Sequence, residues 1–290
     1  MQISISGNRF WRASGSRVPG GRASRANDLL TLSPSDRMLV RQILFERPFG
    51  GNAIAPPLLQ AREWNAVARA GREHGLVPIL YDSLVKGEGL DRLPPEVAES
   101  LSQVSFRTGL ANWLAFAGLE QILSWFEREQ IPAVLLKGAA LAHTVYADPG
   151  LRPMADLDVL VPQAAFPQAR AIMIEHNYEP ILESGDGFDW HFAHSQGFSG
   201  RGARPILVEL HWHLFGLPYY RERVPIEWFW NRTRTVCLGK RMAHVFSPEA
   251  QVVHLAAHLV LHHHRRPLVW SYDLALVLSQ WREQIRWEQV

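Results

Sequence analysis

The stretch LLKGAALAHTVYADPGLRPMADLDVLV, residues 135–161, decides the fold of this chain. A Lys-Gly pair at Lys137 and Gly138 ends one apolar run, and the segment RPMADLD opens a second one. Alternate residues of a β-strand share a face, so Asp156 and Asp158 are predicted to point the same way while the residue between them turns towards the core. Two carboxylates on one face repel each other unless a cation lies between them, and the pattern therefore predicts a divalent-metal site.

Two further segments extend this pattern. The apolar run at residues 131–136 ends at the Lys-Gly pair and is followed by good helix formers, which predicts a strand, a turn and a helix. The segment PILVELHWH, residues 205–213, is predicted to be another strand. Alternation puts Glu209, His211 and His213 on one of its faces and the apolar residues between them on the other.

Helical patterns flank this strand-rich core. Residues 28–130 are predicted to be a helical region, residues 131–246 the core, and residues 247–290 a second helical region. Its pattern continues to the last residue, so we expect that the natural domain extends further or that this copy is truncated. A long helix is expected at about residues 93–130, and its apolar stripe is interpreted as core packing. The stripe consists of Leu110, Trp113, Leu114, Ala117, Ile122 and Trp125.

The composition excludes several classes of function. The 290 residues include 30 basic and 28 acidic side chains, and this near balance is no signature of nucleic-acid binding. No apolar run is long enough for a membrane helix, so we expect a soluble globular protein without a membrane partner. The single Cys237 fits a reducing compartment, and a cytoplasmic location is expected. Residues 1–27 are rich in Ser, Gly and Arg and are predicted to be a disordered arm, although a transit peptide has a similar composition.

Nucleotidyl transfer needs the groups that these segments supply. Carboxylates hold one or two Mg²⁺ ions that neutralise a triphosphate and activate an acceptor oxygen for attack on the α-phosphorus. A glycine where a strand turns into a helix lets the backbone approach phosphates, and Lys or Arg adds positive charge. Lys137, Gly138 and Arg152 are therefore predicted to bind phosphate. Arg152 taken alone fits an ordinary surface ion pair equally well.

The patterns KGAAL, RPMADLDVLV and VELHW resemble the uncharacterised bacterial nucleotidyltransferases of the DNA polymerase β-like superfamily, from about residue 39 to the end. They are also similar to the abortive-infection toxin nucleotidyltransferases. The resemblance implies an α+β fold (mixed α/β) with a polymerase β-like core sheet. It also implies that Asp156, Asp158 and Glu209 are the metal-binding and catalytic carboxylates. The superfamily usually has Gly-Ser after its first strand, and Lys137 and Arg152 are expected to replace that hydroxyl.

The predicted function is transfer of a nucleoside monophosphate from an NTP, such as ATP, to an acceptor with release of pyrophosphate. The reaction is expected to depend on Mg²⁺ or Mn²⁺, and the acceptor is a small molecule, a protein or RNA. One alternative is a non-catalytic nucleotide- or partner-binding module with the same fold.

The histidines suggest a second alternative, a metallohydrolase. Residues His254, His258 and His262 are spaced four apart and so share a helix face. His191 and His194 are expected to lie in a loop that borders a substrate cleft. His211 and His213, on the face of Glu209, are expected either to line the cleft as well or to be core residues.

Overall fold

The computed structural model describes residues 60–87, 89–181, 193–201, 206–261 and 267–290. All of these residues belong to one compact unit. The predictions for the arm, for residues 28–59 of the first helical region, for His191 and for His262 lie outside the described residues. None of the helices in the described ranges is long and apolar enough to cross a membrane.

The described residues form nine α-helices and seven strands, which confirms the mixed α+β prediction. The α-helices are α1 (Ala61–Glu73), α2 (Val77–Lys86), α3 (Pro95–Arg128), α4 (Lys137–Ala142), α5 (Phe166–Glu175), α6 (Pro218–Arg221), α7 (Ile226–Trp230), α8 (Pro248–Leu261) and α9 (Leu268–Gln280). The strands are β1 (Val134–Leu135), β2 (Leu157–Leu160), β3 (Tyr178–Pro180), β4 (Ser195–Gly200), β5 (Leu207–His211), β6 (Thr233–Leu238) and β7 (Arg241–Phe246). Short 3₁₀ helices cover Leu90–Arg92, Pro149–Leu151, Gln163–Ala165 and Trp287–Gln289.

The strands form one sheet in the order β3-β4-β5-β2-β1-β7-β6. Strand β2 pairs in parallel with β5 and antiparallel with β1, while β1 pairs in parallel with β7. The remaining neighbours are antiparallel. The two-residue strand β1 therefore lies inside the sheet, with a partner on each side.

The hairpin of β6 and β7 is a part of the sheet that our sequence reasoning missed. Its turn contains Gly239, whose φ of +56° lies in the left-handed region that favours glycine. Two short alternating segments joined by a turn with glycine are a recognised hairpin signal. This hairpin signal is present in the sequence, but it is weaker than the strand pattern before it, at residues 205–213, and the helical pattern after it, from residue 247.

The long helix α3 is confirmed, and its predicted core face is correct at Ile122 and Trp125 but wrong in its N-terminal part. The buried face consists of Phe116, Leu119, Ile122 and Phe126. Trp113 is 68% exposed, and its neighbours in the predicted stripe, Leu110 and Leu114, are exposed too. Apolar residues occur on several sides of this helix, so periodicity alone could not select the face that packs against the sheet.

The two helical regions share one hydrophobic core. Trp64 of α1 and Leu80 of α2 belong to the same buried cluster as Tyr272 and Val277 of α9. Segments at the two ends of the described chain therefore pack together beside the sheet, because neither could bury its apolar face alone. The boundaries at residues 130 and 246 stay a prediction.

The alternation of β2 divides its side chains between two cores. Leu157 and Val159 belong to a cluster with the C-terminal half of α3 and with α5. Leu160 belongs to a different cluster, with residues of α7 and α8. Because alternate residues share a face, Asp158 lies on the same face as Leu160.

Candidate active site

The pairing of β2 with β5 brings the predicted carboxylates together. In the parallel register, Asp158 lies opposite Glu209 and Leu160 lies opposite His211. The apolar residues that alternate with them on β5 are buried in the cluster with α3 and α5, as predicted. Side chains separated by about fifty positions in sequence therefore meet on one face of the sheet.

Four charged or ionisable side chains form what we call the site cluster, namely Lys137, Asp158, Glu209 and His211. Lys137 Nζ donates a hydrogen bond to Asp158 Oδ1 at 2.6 Å and lies 3.9 Å from Glu209 Oε2. His211 Nε2 lies 2.9 Å from the same Asp158 Oδ1 and 3.2 Å from Glu209 Oε2. The Oδ1 atom of Asp158 therefore contacts two nitrogen groups at once.

Electrostatics favour the charged form of every group in the site cluster. Burial alone would lower the pKa of Lys137 and of His211, but the two carboxylates outweigh it and the pKa of each lies above its ordinary value. Burial would likewise raise the pKa of Asp158 and of Glu209, but the neighbouring Lys137 and His211 lower both. The carboxylates and the two nitrogen groups therefore stabilise each other's charged forms.

Ser195 on β4 completes the contacts of Glu209 and has no counterpart in our sequence reasoning. Its Oγ donates a hydrogen bond to Glu209 Oε1 at 2.6 Å, while the other carboxylate oxygen faces His211. The register of β4 with β5 puts Gly197, not Ser195, opposite Glu209. This hydrogen bond joins residues of two neighbouring strands, and no local pattern in a single sequence indicates such a contact.

The backbone at the Lys-Gly turn differs from the expected one. Lys137, not Gly138, has a left-handed backbone, with φ of +44°. Such a conformation costs a non-glycine residue about 1–3 kcal/mol and is most often found at functional sites. A Cβ added to Gly138 would lie 2.9 Å from Met154 Cγ, so the glycine makes room for this side chain. Its contact with phosphate stays a prediction.

Asp156 does not share the strand of Asp158, and this part of the prediction is wrong. Strand β2 begins at Leu157, and Asp156 is an exposed residue of the preceding bend that lines a cavity of about 200 Å³. Loss of water around its carboxyl and repulsion from Asp158 raise the pKa of Asp156 to about 6. Asp156 thus lies one residue before the strand, close enough to interact electrostatically with all four residues of the site cluster, and its role as a metal ligand stays a prediction.

Arg152 lies in a second group of charged residues, the arginine cluster, formed by Arg152, Asp273 and Tyr146. Its Nε and Nη2 donate to the two carboxylate oxygens of Asp273 at 2.7–3.0 Å, and Tyr146 donates to Asp273 Oδ1 at 2.6 Å. Arg152 and Asp273 are both buried, so the surface ion pair considered above is wrong. Phosphate binding by Arg152 stays a prediction.

The predicted cleft histidines separate in the structure. The ring of His194 lies 5.5 Å from that of His211, measured between centroids, and so borders the site cluster. His213 lies beyond the end of β5, where its Nδ1 accepts a hydrogen bond from the backbone N–H of Phe215 at 3.1 Å. Burial, followed by the charge of Arg221, lowers the pKa of His213 to about 4. His213 is therefore a neutral residue that supports the turn after the strand.

The histidines of α8 have aromatic surroundings. The ring of His254 contacts Phe246, and the ring of His258 contacts Trp270. Within the described ranges, the set of three groups placed to hold a metal ion is Asp158, Glu209 and His211, whose ligand atoms all lie within 4.8 Å of one another. Two carboxylate oxygens and an imidazole nitrogen are a donor set that first-row divalent cations accept, and the residues therefore fit a metal.

Carboxylates that can hold a metal ion are groups that enzymes use in the transfer of phosphoryl and nucleotidyl groups. A family model described as "Uncharacterised nucleotidyltransferase" matches residues 60–290, and the chain belongs to this family. The family assignment confirms the class that the sequence motifs predicted. A comparison with curated proteins gives no match.

Two solved structures resemble part of the chain. One is an antigenic nucleotidyltransferase-like protein from Paracoccidioides brasiliensis, 13% identical, with a TM-score of 0.40 over 57% of this chain and 75% of that one. The other is the lincosamide antibiotic adenylyltransferase LnuA with lincomycin bound, 15% identical, with a TM-score of 0.38 over 56% of this chain and 94% of that one.

Proposed function

We propose that the protein transfers a nucleoside monophosphate from an NTP to an acceptor with release of pyrophosphate. The observation that carries this proposal is the site cluster, in which Asp158 and Glu209 stand in register on neighbouring strands with Lys137 beside them. In the reaction an acceptor oxygen forms a bond to the α-phosphorus while the bond from that phosphorus to the bridging oxygen breaks. Pyrophosphate leaves, and the acceptor proton passes to solvent or to a nearby base.

The proposed metal ligands are Asp158, Glu209 and His211, with Asp156 at the exposed edge of the site. A bound Mg²⁺ or Mn²⁺ would neutralise the triphosphate and make the acceptor oxygen a better nucleophile. Because imidazole nitrogen suits transition metals better than Mg²⁺, we expect Mn²⁺ to support the reaction at least as well as Mg²⁺.

The other side chains of the site cluster have different proposed roles. Lys137 is positively charged and is the group we assign to the triphosphate oxygens. Glu209 is held by Ser195 and has a strongly lowered pKa, which makes it a weak base and suits a ligand better than a proton acceptor. The NTP is proposed to be ATP or a close relative, used in the cytoplasm. The acceptor is a small molecule, a protein or an RNA, and the balanced net charge favours the first two over a long RNA footprint.

The test is incubation of the purified protein with each α-labelled NTP, Mg²⁺ or Mn²⁺, and cell extract, followed by detection of labelled products and pyrophosphate. Asp158→Asn is expected to lower labelling by more than ~100-fold, since even outer-shell partners of a metal cost about 10- to 100-fold when removed. Asp91→Asn, at an exposed position, is the matched control and should leave labelling unchanged.

Each rival predicts a different result. If Asp158→Asn keeps full metal-dependent labelling, the proposed reaction is wrong. If the protein binds NTP but releases no pyrophosphate with any acceptor fraction, the chain is a nucleotide-binding module. If turnover survives Asp158→Asn and is lost on replacement of His254 and His258, the metallohydrolase alternative is correct.

A further inference from the structure

The site cluster already holds a cation before any ligand is considered. Lys137 Nζ lies 2.6 Å from Asp158 Oδ1 and 3.9 Å from Glu209 Oε2, so its positive charge offsets part of the charge of the two carboxylates. Asp158 is only 4% exposed, so water screens this ion pair weakly. A divalent cation added while Lys137 stays in place would set three positive charges against two negative ones in a partly buried place.

The geometry shows which contact conflicts with a cation. Asp158 Oδ1 accepts from Lys137 Nζ at 2.6 Å and lies 2.9 Å from His211 Nε2. His211 is itself a proposed ligand, so a cation that binds Asp158 through this oxygen takes the place of the Lys137 ammonium. His211 lies within β5, buried and in register with β2.

Lys137 is the partner that can leave. Its side chain is 17% exposed, compared with 2% for His211, and it is a long flexible stem with a single terminal charge. It also begins at a residue with a strained backbone, directly after β1. The only large negative charge that the proposed reaction brings to this place is the triphosphate, and an ammonium leaving Asp158 would find its new partner there.

We propose that Lys137 is an internal counter-ion that couples metal binding to nucleotide binding. It neutralises Asp158 until metal and nucleotide enter together, and it then moves from the carboxylate to the phosphates. This inference rests on the proposed function and adds an order of events to it. The cation binds weakly by itself and tightly with the nucleotide, and by reciprocity the nucleotide depends on the cation to the same degree.

The test measures Mn²⁺ binding directly, from the electron paramagnetic resonance signal of free Mn²⁺. Wild type, Lys137→Met and the control Lys240→Met are titrated without nucleotide, and again with an α,β-methylene NTP analogue that cannot transfer its nucleotidyl group. Lys240 lies in the hairpin turn after Gly239 and has no contact with the site cluster among those described. Asp158→Asn identifies the binding that belongs to this site.

Without nucleotide, Lys137→Met is expected to bind Mn²⁺ about tenfold more tightly than wild type and Lys240→Met, because Asp158 has lost its competing cation. In wild type the analogue is expected to raise Mn²⁺ affinity by a factor within the range of about 5 to 150 that is usual for coupled sites, and in the variant by much less. Lys137→Asn is the second variant, since asparagine tolerates the left-handed backbone and is also uncharged.

The outcomes separate this inference from the proposed function. If both Lys137 variants bind Mn²⁺ with wild-type affinity and show wild-type coupling to the analogue, the counter-ion inference is overturned while the metal site stands. If no variant binds Mn²⁺ at a position sensitive to Asp158→Asn, with or without the analogue, the proposed metal site itself is overturned. Tighter binding with reduced coupling in both variants supports the inference.

Discussion

The sequence presents Lys137 and Arg152 as two cations with one role, but the structure gives them opposite surroundings. In the arginine cluster, Arg152 donates to both oxygens of Asp273, and Tyr146 adds a further hydrogen bond. In the site cluster, Lys137 shares one oxygen of Asp158 with His211. In the arginine cluster the cation has a single carboxylate partner and a fixed geometry. In the site cluster two nitrogen groups compete for one carboxylate oxygen.

This difference follows from the chemistry of the two side chains. Guanidinium is planar and always charged, and its fork matches a carboxylate, so little is gained by moving it once it is buried. An ammonium is a compact point charge on a flexible stem, and its attraction to an anion depends little on orientation. It can therefore exchange one anion for another. Two cations from one stretch of sequence can therefore have different roles, with Arg152 fixing the structure and Lys137 available for exchange.

The largest expected effect on stability comes from removing the carboxylate of the arginine cluster. Asp273→Ala leaves Arg152 as an uncompensated buried charge and should lower the free energy of unfolding by about 3–5 kcal/mol, measured by urea denaturation. The double change Arg152→Met with Asp273→Leu removes both charges and should cost much less than Asp273→Ala alone. Asp91→Ala, at an exposed position, is the control and should stay within about 0.5 kcal/mol of wild type. A loss of less than about 1 kcal/mol for Asp273→Ala would show that the cluster does not have a fixed geometry.

The two clusters also differ in how far the sequence could reveal them. Asp158 and Glu209 lie on strands with clear alternation, so a shared face was predictable, and the parallel register then aligned them. Arg152 and Asp273 are 121 residues apart, and Asp273 lies in an apolar helical pattern where one acid has no visible partner. Only the packing of α9 beside the sheet brings them together, and no local pattern encodes that packing.

A medium effect on stability is expected from Asn112, a neutral side chain that contacts the backbone just before Arg152 and at Arg152 itself. Asn112 on α3 is buried, and its Nδ2 donates to the carbonyls of Pro149 and Arg152 at 2.7 and 2.8 Å. Asn112→Ala leaves two carbonyls without these donors and should cost about 1–3 kcal/mol of unfolding free energy. Asn65→Ala, which removes an exposed side chain with a single backbone contact, is the matched control and should cost less than about 0.5 kcal/mol.

The same variant sharpens the contrast between the clusters. Because Asn112 contacts the segment of Arg152 and has no contact with Lys137 in the described structure, Mn²⁺ binding by Asn112→Ala should equal that of wild type. A changed Mn²⁺ affinity would mean that the two clusters are coupled through the residues between Arg152 and Asp158. In that case the distinction between a fixed cation and an exchangeable one would not hold.

The face of α3 shows why such contacts escape a reading of the sequence. Asn112 lies on the buried side of the helix, and the adjacent Trp113 lies on the exposed side. Hydrophobicity alone favours the reverse assignment, since a tryptophan is the better core residue. The carbonyls of Pro149 and Arg152 favour the observed arrangement, because they need a donor that only a polar side chain can supply.

The smallest expected effect comes from His213, which lies close to the site cluster in sequence but outside its charges. Its folded-state pKa of about 4 is below the ordinary 6.5, so the unfolded chain binds more protons between these values. Stability is therefore full above about pH 6.5 and is lost as the pH falls towards 4. With allowance for solvent screening, His213 should contribute roughly 1–2 kcal/mol to this loss.

His213→Asn tests this contribution, because the asparagine Oδ1 can accept from the Phe215 N–H in place of Nδ1 but does not titrate in this range. Urea denaturation at several pH values between 4.5 and 7.5 should show a flatter dependence for the variant than for wild type. His211 acts with the opposite sign, since its raised pKa makes its contribution largest at low pH and removes it as the pH rises through that pKa. If the variant keeps the wild-type slope, His213 does not contribute to the pH dependence in this range, and its assignment as a buried neutral residue would be wrong.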